Sequence, residues 1–77
     1  MAAKAYILIE VETGKSEEVK RLILGIQGVT ESDAVTGPYD VIAVVEVDNT
    51  GTLGSLILQQ IQMIAGVKRT VTCVSIS

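Results

Sequence analysis

Few side chains in this 77-residue chain have types and spacing suited to chemistry. The densest group is Thr36-Gly37-Pro38-Tyr39-Asp40, a turn sequence with a phenol and a carboxylate at its exit. Asp40 has two readings. An Asp in such a turn commonly hydrogen-bonds nearby turn amides; the alternative is contact with a ligand. Tyr39 likewise either packs the turn or meets a ligand. Thr70 and Thr72 stand two residues apart, so on a strand their hydroxyls share one face. They can face a ligand or a neighbouring strand, although Thr is also simply a good strand former. Cys73 is read as a small buried hydrophobe, and Gln59, Gln60 and Gln62 as a solvated or subunit-facing surface.

The missing chemistry is as informative. With no histidine, the commonest general base and the commonest metal ligand are both gone. One cysteine and scattered carboxylates do not build a zinc or copper site, and no cofactor is expected. No glycine-rich phosphate cradle occurs, since Gly25 and Gly28 lie at the end of a helix rather than its start. The net charge is −3 and the pI about 4.6, with six basic residues dispersed along the chain, which argues against direct binding of nucleic acid. Met1-Ala2-Ala3-Lys4 is too short for a signal peptide and the apolar runs are strand-length, so a cytoplasmic, non-membrane protein is expected. Catalysis is not expected. A small dimeric enzyme relying on shape and a Tyr–Asp pair is the remaining catalytic alternative.

The elements that position these residues follow from periodicity. Ala5, Ile7, Ile9 and Val11 alternate with Tyr6, Leu8 and Glu10 in a first strand. Ser16 stands where a helix N-cap belongs, followed by Glu17 and Glu18 in the first turn. Val19, Leu22, Ile23 and Ile26 then form one helical face, closed by Gly28. Residues 29–35 make a more polar strand. In residues 41–47, Val41, Ala43, Val45 and Val47 fill one face while Ile42 and Val44 fill the other. Asn49 or Thr50 caps a second helix with an apolar face of Leu53, Leu56, Ile57, Ile61 and Ile64, and residues 67–76 form the last strand.

Sliding the sequence 38 positions along itself superposes Ile26-Gln27-Gly28-Val29 on Ile64-Ala65-Gly66-Val67, and Val19, Ile23 and Ile26 on Ile57, Ile61 and Ile64. It also places Ile7 and Ile9 on Val45 and Val47. Two βαβ halves predict a ferredoxin-like βαββαβ fold over residues 1–77, with a four-stranded antiparallel sheet and two helices on one face. Assigning odd-numbered strand residues to the helix side leaves Tyr6, Leu8, Ile42, Val44, Thr70, Thr72, Val74 and Ile76 on the bare face. So apolar a face needs cover, and sheet-to-sheet pairing with a second copy is the simplest solution.

These segments together resemble the effector-binding RAM domain of the Lrp/AsnC transcription regulators. The resemblance rests on the apolar first strand, Gly-Lys-Ser-Glu-Glu-Val opening the first helix and Ile-Gln-Gly-Val closing it. It rests also on the Gly-x-Tyr-Asp turn and on Ile-Ala-Gly-Val followed by Thr70-Val71-Thr72. It implies a sheet-to-sheet dimer assembling into rings, commonly octamers, that binds amino acids between dimers near the turn. Carried over by residue, the ligand contacts would be Gly37, Tyr39 and Asp40, with Thr70 and Thr72 as further candidates. Asp40 would meet the ammonium group of a zwitterion, and hydroxyls and amides its carboxylate. Full-length regulators also carry a helix-turn-helix that this sequence lacks. The Met1 start and Ser77 end suggest a stand-alone form that could co-assemble with full-length regulators. A ligand-free ring-forming module, a dimeric α/β-barrel enzyme and an ACT-like domain are the alternatives.

Overall fold

The computed structural model describes residues 2–76; Met1 and Ser77, on which the stand-alone expectation leans, lie outside them. Strand β1 (Ala3–Val11) leads to helix α1 (Ser16–Leu24), β2 (Val29–Ala34) and β3 (Val41–Val47). Helix α2 spans residues 50–62, with α-helical Thr50–Thr52 and Leu58–Gln62 flanking a π-helical Leu53–Ile57, and β4 is Val67–Val74. The strands form one antiparallel sheet in the order β2-β3-β1-β4. This is the ferredoxin-like α+β architecture that the repeat predicts.

The core lies between sheet and helices. Ile7, Ile9, Val41, Ala43 and Val45 are fully buried from the sheet, and Val19, Ile23 and Ile61 from the helices. Each buried Ile or Val contributes about 1.5–3 kcal/mol relative to exposure. Leu22 and Leu56, assigned to the helical core faces, are instead about half exposed, at 52% and 56%. The α1 cap also differs from expectation. Lys15 occupies the N-cap position without a side-chain bond, and Ser16 is the first helical residue. Asn49 caps α2 as its sequence suggests, its Oδ1 accepting from the Thr52 amide at 2.9 Å.

The halves are locked reciprocally through two glycines. Gly28, at φ +103°, sits where a Cβ would lie 2.6 Å from Ile57 Cδ1; Gly66, at φ +101°, sits where one would lie 3.4 Å from Val19 Cγ2. Each half's glycine thus admits the other half's helix. The offset of 38 holds from these contacts onward but not before them. Ser16 and Thr50 start the helices only 34 apart, and the Gly66 and Gly28 carbonyls accept from Glu12 and Glu46, also 34 apart. The strand part of the repeat therefore pairs Ile7 and Ile9 with Val41 and Ala43, not with Val45 and Val47. Helix α2 absorbs the difference as roughly one extra turn, where its π-helical segment lies.

Two β-bulges overturn the odd-even assignment of faces. The register slips between Val29 and Glu31 on β2, and β4 slips opposite Glu10 and Val11. One extra residue reverses every side chain beyond it. Thr70, Thr72 and Val74 consequently pair with Ile9, Ile7 and Ala5 and lie on the helix side, while Val71 and Cys73 pair with Leu8 and Tyr6 on the open face. Cys73 is exposed rather than buried in the core. Ile76 falls beyond β4 and is fully exposed, so it lines no sheet face. On β2 the slip turns Ser32 inward, where its hydroxyl donates to the Lys20 carbonyl at 3.0 Å. Tyr6, Leu8, Ile42 and Val44 occupy the open face as expected, joined by Val71 and Cys73.

Replacing either glycine by alanine should destabilise the fold through its positive φ, by about 1–2 kcal/mol. Gly28→Ala adds a clash with a packed core isoleucine, so its thermal midpoint should fall further than that of Gly66→Ala. At roughly 4–8 °C per kcal/mol for a domain of this size, differential scanning calorimetry resolves the order.

Candidate functional site

The β2–β3 hairpin positions the turn residues. Gly37 adopts φ +152°, with open space where a side chain would project. Tyr39 and Asp40 are half-buried at the mouth of β3. Three hydrogen bonds anchor Asp40. Its carbonyl accepts from Val35 N at 2.9 Å, its amide donates to the Ile9 carbonyl at 3.0 Å, and its Oδ2 accepts from Val11 N at 2.9 Å. The carboxylate thus takes the place of a backbone acceptor where the β1–β3 ladder runs out. The Asp40 side chain therefore bonds a strand amide 29 residues away instead of the nearby turn amides that the sequence suggested.

Thr70 and Thr72 are not brought to the hairpin. Thr70 flanks Ile9 from the β4 side, while Asp40 bonds β1 from the β3 side. Neighbouring strands are about 4.8 Å apart, so two strand spacings, roughly 10 Å, separate them. Thr70 Oγ1 accepts from Gln62 Nε2 at 3.2 Å, tying the end of α2 to β4. Gln62, Val67, Lys68, Arg69 and Thr70 line a shallow, open cavity of about 370 Å³. Another, of about 320 Å³, lies at the opposite end of the sheet between Gln27, Glu46, Asp48 and Leu56. Gly37, Tyr39 and Asp40 line neither. Gln62, read from the sequence as part of a solvated or subunit-facing surface, is exposed, but its bond to Thr70 was not foreseen, because the β4 bulge that turns Thr70 to the helix side leaves no sequence signal.

Charge on the open face centres on Lys4. Its ammonium lies 5.4 Å from the Tyr6 ring centroid, a cation–π geometry. The Tyr6 side chain first, then the carboxylates of Glu46 and Glu31, hold its pKa above the ordinary lysine value, opposed by partial desolvation. On α1, the hydrogen bond from Lys20 holds the Glu17 carboxyl below its ordinary value, the pair closing at 2.8 Å. Among the described residues no group of three or more potential metal ligands forms, and no helix is long and apolar enough to cross a membrane.

The architecture is a ferredoxin-like sheet with one face under helices and the other open. Over residues 4–77 the chain matches the Lrp/AsnC ligand binding domain, and it belongs to that family. A comparison with curated proteins gave no match. Among solved structures it is similar to the protein PHS023 of Pyrococcus horikoshii, at 32% identity and TM-score 0.88, covering 100% of this chain and 92% of that one. The protein TTHA0845 of Thermus thermophilus is similar at 29% identity and TM-score 0.90, covering 97% and 94%. The transcriptional regulator NMB0573 of Neisseria meningitidis, solved as a complex with L-Met, shares the fold at 14% identity and TM-score 0.83; this chain covers 50% of it and 97% of itself is covered.

Removing the Asp40 acceptor should cost stability whatever else Asp40 does. Asp40→Ala leaves the Val11 amide unpaired, at a cost of about 1–3 kcal/mol. Asp40→Asn keeps an oxygen to accept that bond and should retain most of the stability. Urea denaturation of the two variants beside the wild type separates these outcomes.

Proposed function

We propose that this protein is a non-catalytic amino-acid-sensing and oligomerisation module of the cytoplasm. It would influence Lrp/AsnC-type transcription regulation through ligand binding or co-assembly with full-length regulators, without contacting DNA itself. The match to the Lrp/AsnC ligand binding domain over residues 4–77 is the observation that carries this reading. The geometry supports an intersubunit site. Within one protomer, Gly37, Tyr39 and Asp40 are about two strand spacings from Thr70, and neither of the two cavities described among residues 2–76 joins them. A neighbouring subunit would supply the missing wall. Asp40 has a second carboxylate oxygen to offer an ammonium group while Oδ2 holds Val11. Thr72, half-buried and facing Ile7 on the helix side, is the weakest of the proposed ligand contacts.

One observation favours a second reading, a ligand-free ring-forming module: the most distinctive polar side chain of the hairpin already has a structural partner. A thermal-shift screen against the twenty amino acids separates the two. A ligand at a hundred times its dissociation constant adds about 2.7 kcal/mol, on the order of 10 °C or more here. A selective rise that is lost in Asp40→Asn, the variant that keeps the fold, is the expected result. No rise at millimolar concentration would favour the ligand-free module.

The open face should hold the dimer together, and dimers should assemble further into a ring, with an octamer the expected size. A charge at its centre would have to be buried unpaired, so Leu8→Lys or Ile42→Lys should weaken dimerisation by several kcal/mol. Sedimentation equilibrium should then find monomers where the wild type is oligomeric. An unchanged oligomer would move the interface elsewhere.

A further inference from the structure

The bulge in β4 gathers charge as well as reversing faces. Arg69 pairs with Glu10 and Val67 with Val11, so Lys68 is the extra residue between them. On a regular strand two consecutive side chains point to opposite faces. At a bulge, two residues of one strand stand against one of the other. Lys68 Nζ accordingly lies 3.9 Å from Glu10 Oε1, and Arg69 Nη2 lies 4.0 Å from Glu10 Oε2. Both distances exceed a hydrogen bond, and all three side chains stay partly exposed. One carboxylate thus sits between two cations without engaging the donors of either, in a chain whose net charge is −3.

The same two cations line the cavity of about 370 Å³ at the α2–β4 corner, with Gln62, Val67 and Thr70. Cavities that take small ligands begin at about 300 Å³. Thr70 Oγ1 accepts from Gln62 Nε2 at 3.2 Å. A hydroxyl that accepts keeps its own hydrogen to donate, and an amide nitrogen that donates once has a second hydrogen. The ammonium and guanidinium offer donors only. The corner therefore combines an excess of donors with a surplus of positive charge. The cavity at the other end of the sheet, with Glu46 and Asp48 in its wall, has the opposite sign.

We propose that the α2–β4 corner binds a small oxyanion, a carboxylate or phosphate group, held by Arg69, Lys68 and the Thr70 hydroxyl, with Glu10 as its internal competitor. The planar guanidinium fork fits two oxygens of such a group, and the Lys68 ammonium adds a compact charge beside it. The residues all belong to one protomer, and Thr70 is about two strand spacings from Asp40. The site therefore depends neither on amino-acid binding at the hairpin nor on assembly.

Equilibrium dialysis of the intact chain at low, constant ionic strength tests the site, with radiolabelled inorganic phosphate and radiolabelled succinate each dialysed alone. Saturable binding of either probe, one per protomer, is the expected result; phosphate would mark a phosphoryl group as the ligand chemistry and succinate a carboxylate. Arg69→Gln removes a charge-assisted bond and should weaken binding about tenfold or more. Glu10→Gln removes the competitor and should tighten it. Lys4→Gln deletes the same charge six residues along β1 from Glu10, about 20 Å away, and should leave the constant within about twofold. Circular dichroism melts without ligand confirm that each variant folds, and Lys68→Gln replaces Arg69→Gln if the latter does not. No saturable binding of either probe up to about 10 mM would overturn the site. Equal weakening by Lys4→Gln and Arg69→Gln would overturn it too, as a general response to charge, and so would weaker binding by Glu10→Gln.

Discussion

Val41, Ala43 and Val45 are wholly buried beneath the helices, while Ile42 and Val44 on the same strand remain half-buried on the other side. Side chains of one strand alternate between faces, so such a sequence asks for two covering layers. Helices α1 and α2 fill one. Their span also sets the geometry around them, because both must cross the same sheet face and both are brought close by a glycine of the opposite half. Within a single protomer nothing among the described residues supplies the other layer, and the proposed assembly would fill that deficit. Leaving Leu8, Ile42, Val44 and Val71 against water forfeits hydrophobic stabilisation that a domain of this size can ill spare.

The order of elements was legible because each carries strong local signals. Alternation marks β1 and a doubly apolar run marks β3, whereas Gly28 and Gly66, expected to end the helices, stand in the turns into β2 and β4, the helices having stopped at Leu24 and Gln62. The Asn49 cap was legible for the same reason, being local chemistry of a single side chain, whereas the partner of Asp40, the Val11 amide 29 residues away, was not. The rest of what was not legible comes from irregularity. A bulge costs one residue and leaves no compositional trace, yet the slip after Val67 exchanges Thr70 and Thr72 with Val71 and Cys73. The mixed polarity of Thr70 to Val74 gave periodicity nothing to reject, since either register places some apolar residue on each side. The extra turn in α2 was hidden similarly. Leu53, Ile57 and Ile61 keep an i, i+4 spacing through the π-helical stretch, so their pattern reads as an ordinary helix.

At the hairpin, one side chain serves two levels of organisation. Asp40 extends the β1–β3 ladder past its last backbone pair and thereby fixes the angle at which Gly37 and Tyr39 leave the sheet. In the proposed function the same group would also meet the ligand, which would tie recognition to the end of a central strand. The same economy explains why Thr70, bonded to Gln62, belongs to a separate corner of the protomer.

The placement of β1 has a consequence for how the chain reaches its native state. This strand pairs on one side with β3 and on the other with β4, its Ala5 meeting Val74 and its Val11 meeting Val67. Contacts so distant along the chain close late, because the entropy of the intervening loop is lost before the pairing returns anything. Until β4 arrives, β1 is an open sheet edge whose backbone groups on that side are unpaired. That open edge, more than the finished protomer, is where one molecule would capture another in the wrong register, and late docking of β4 lengthens the exposure.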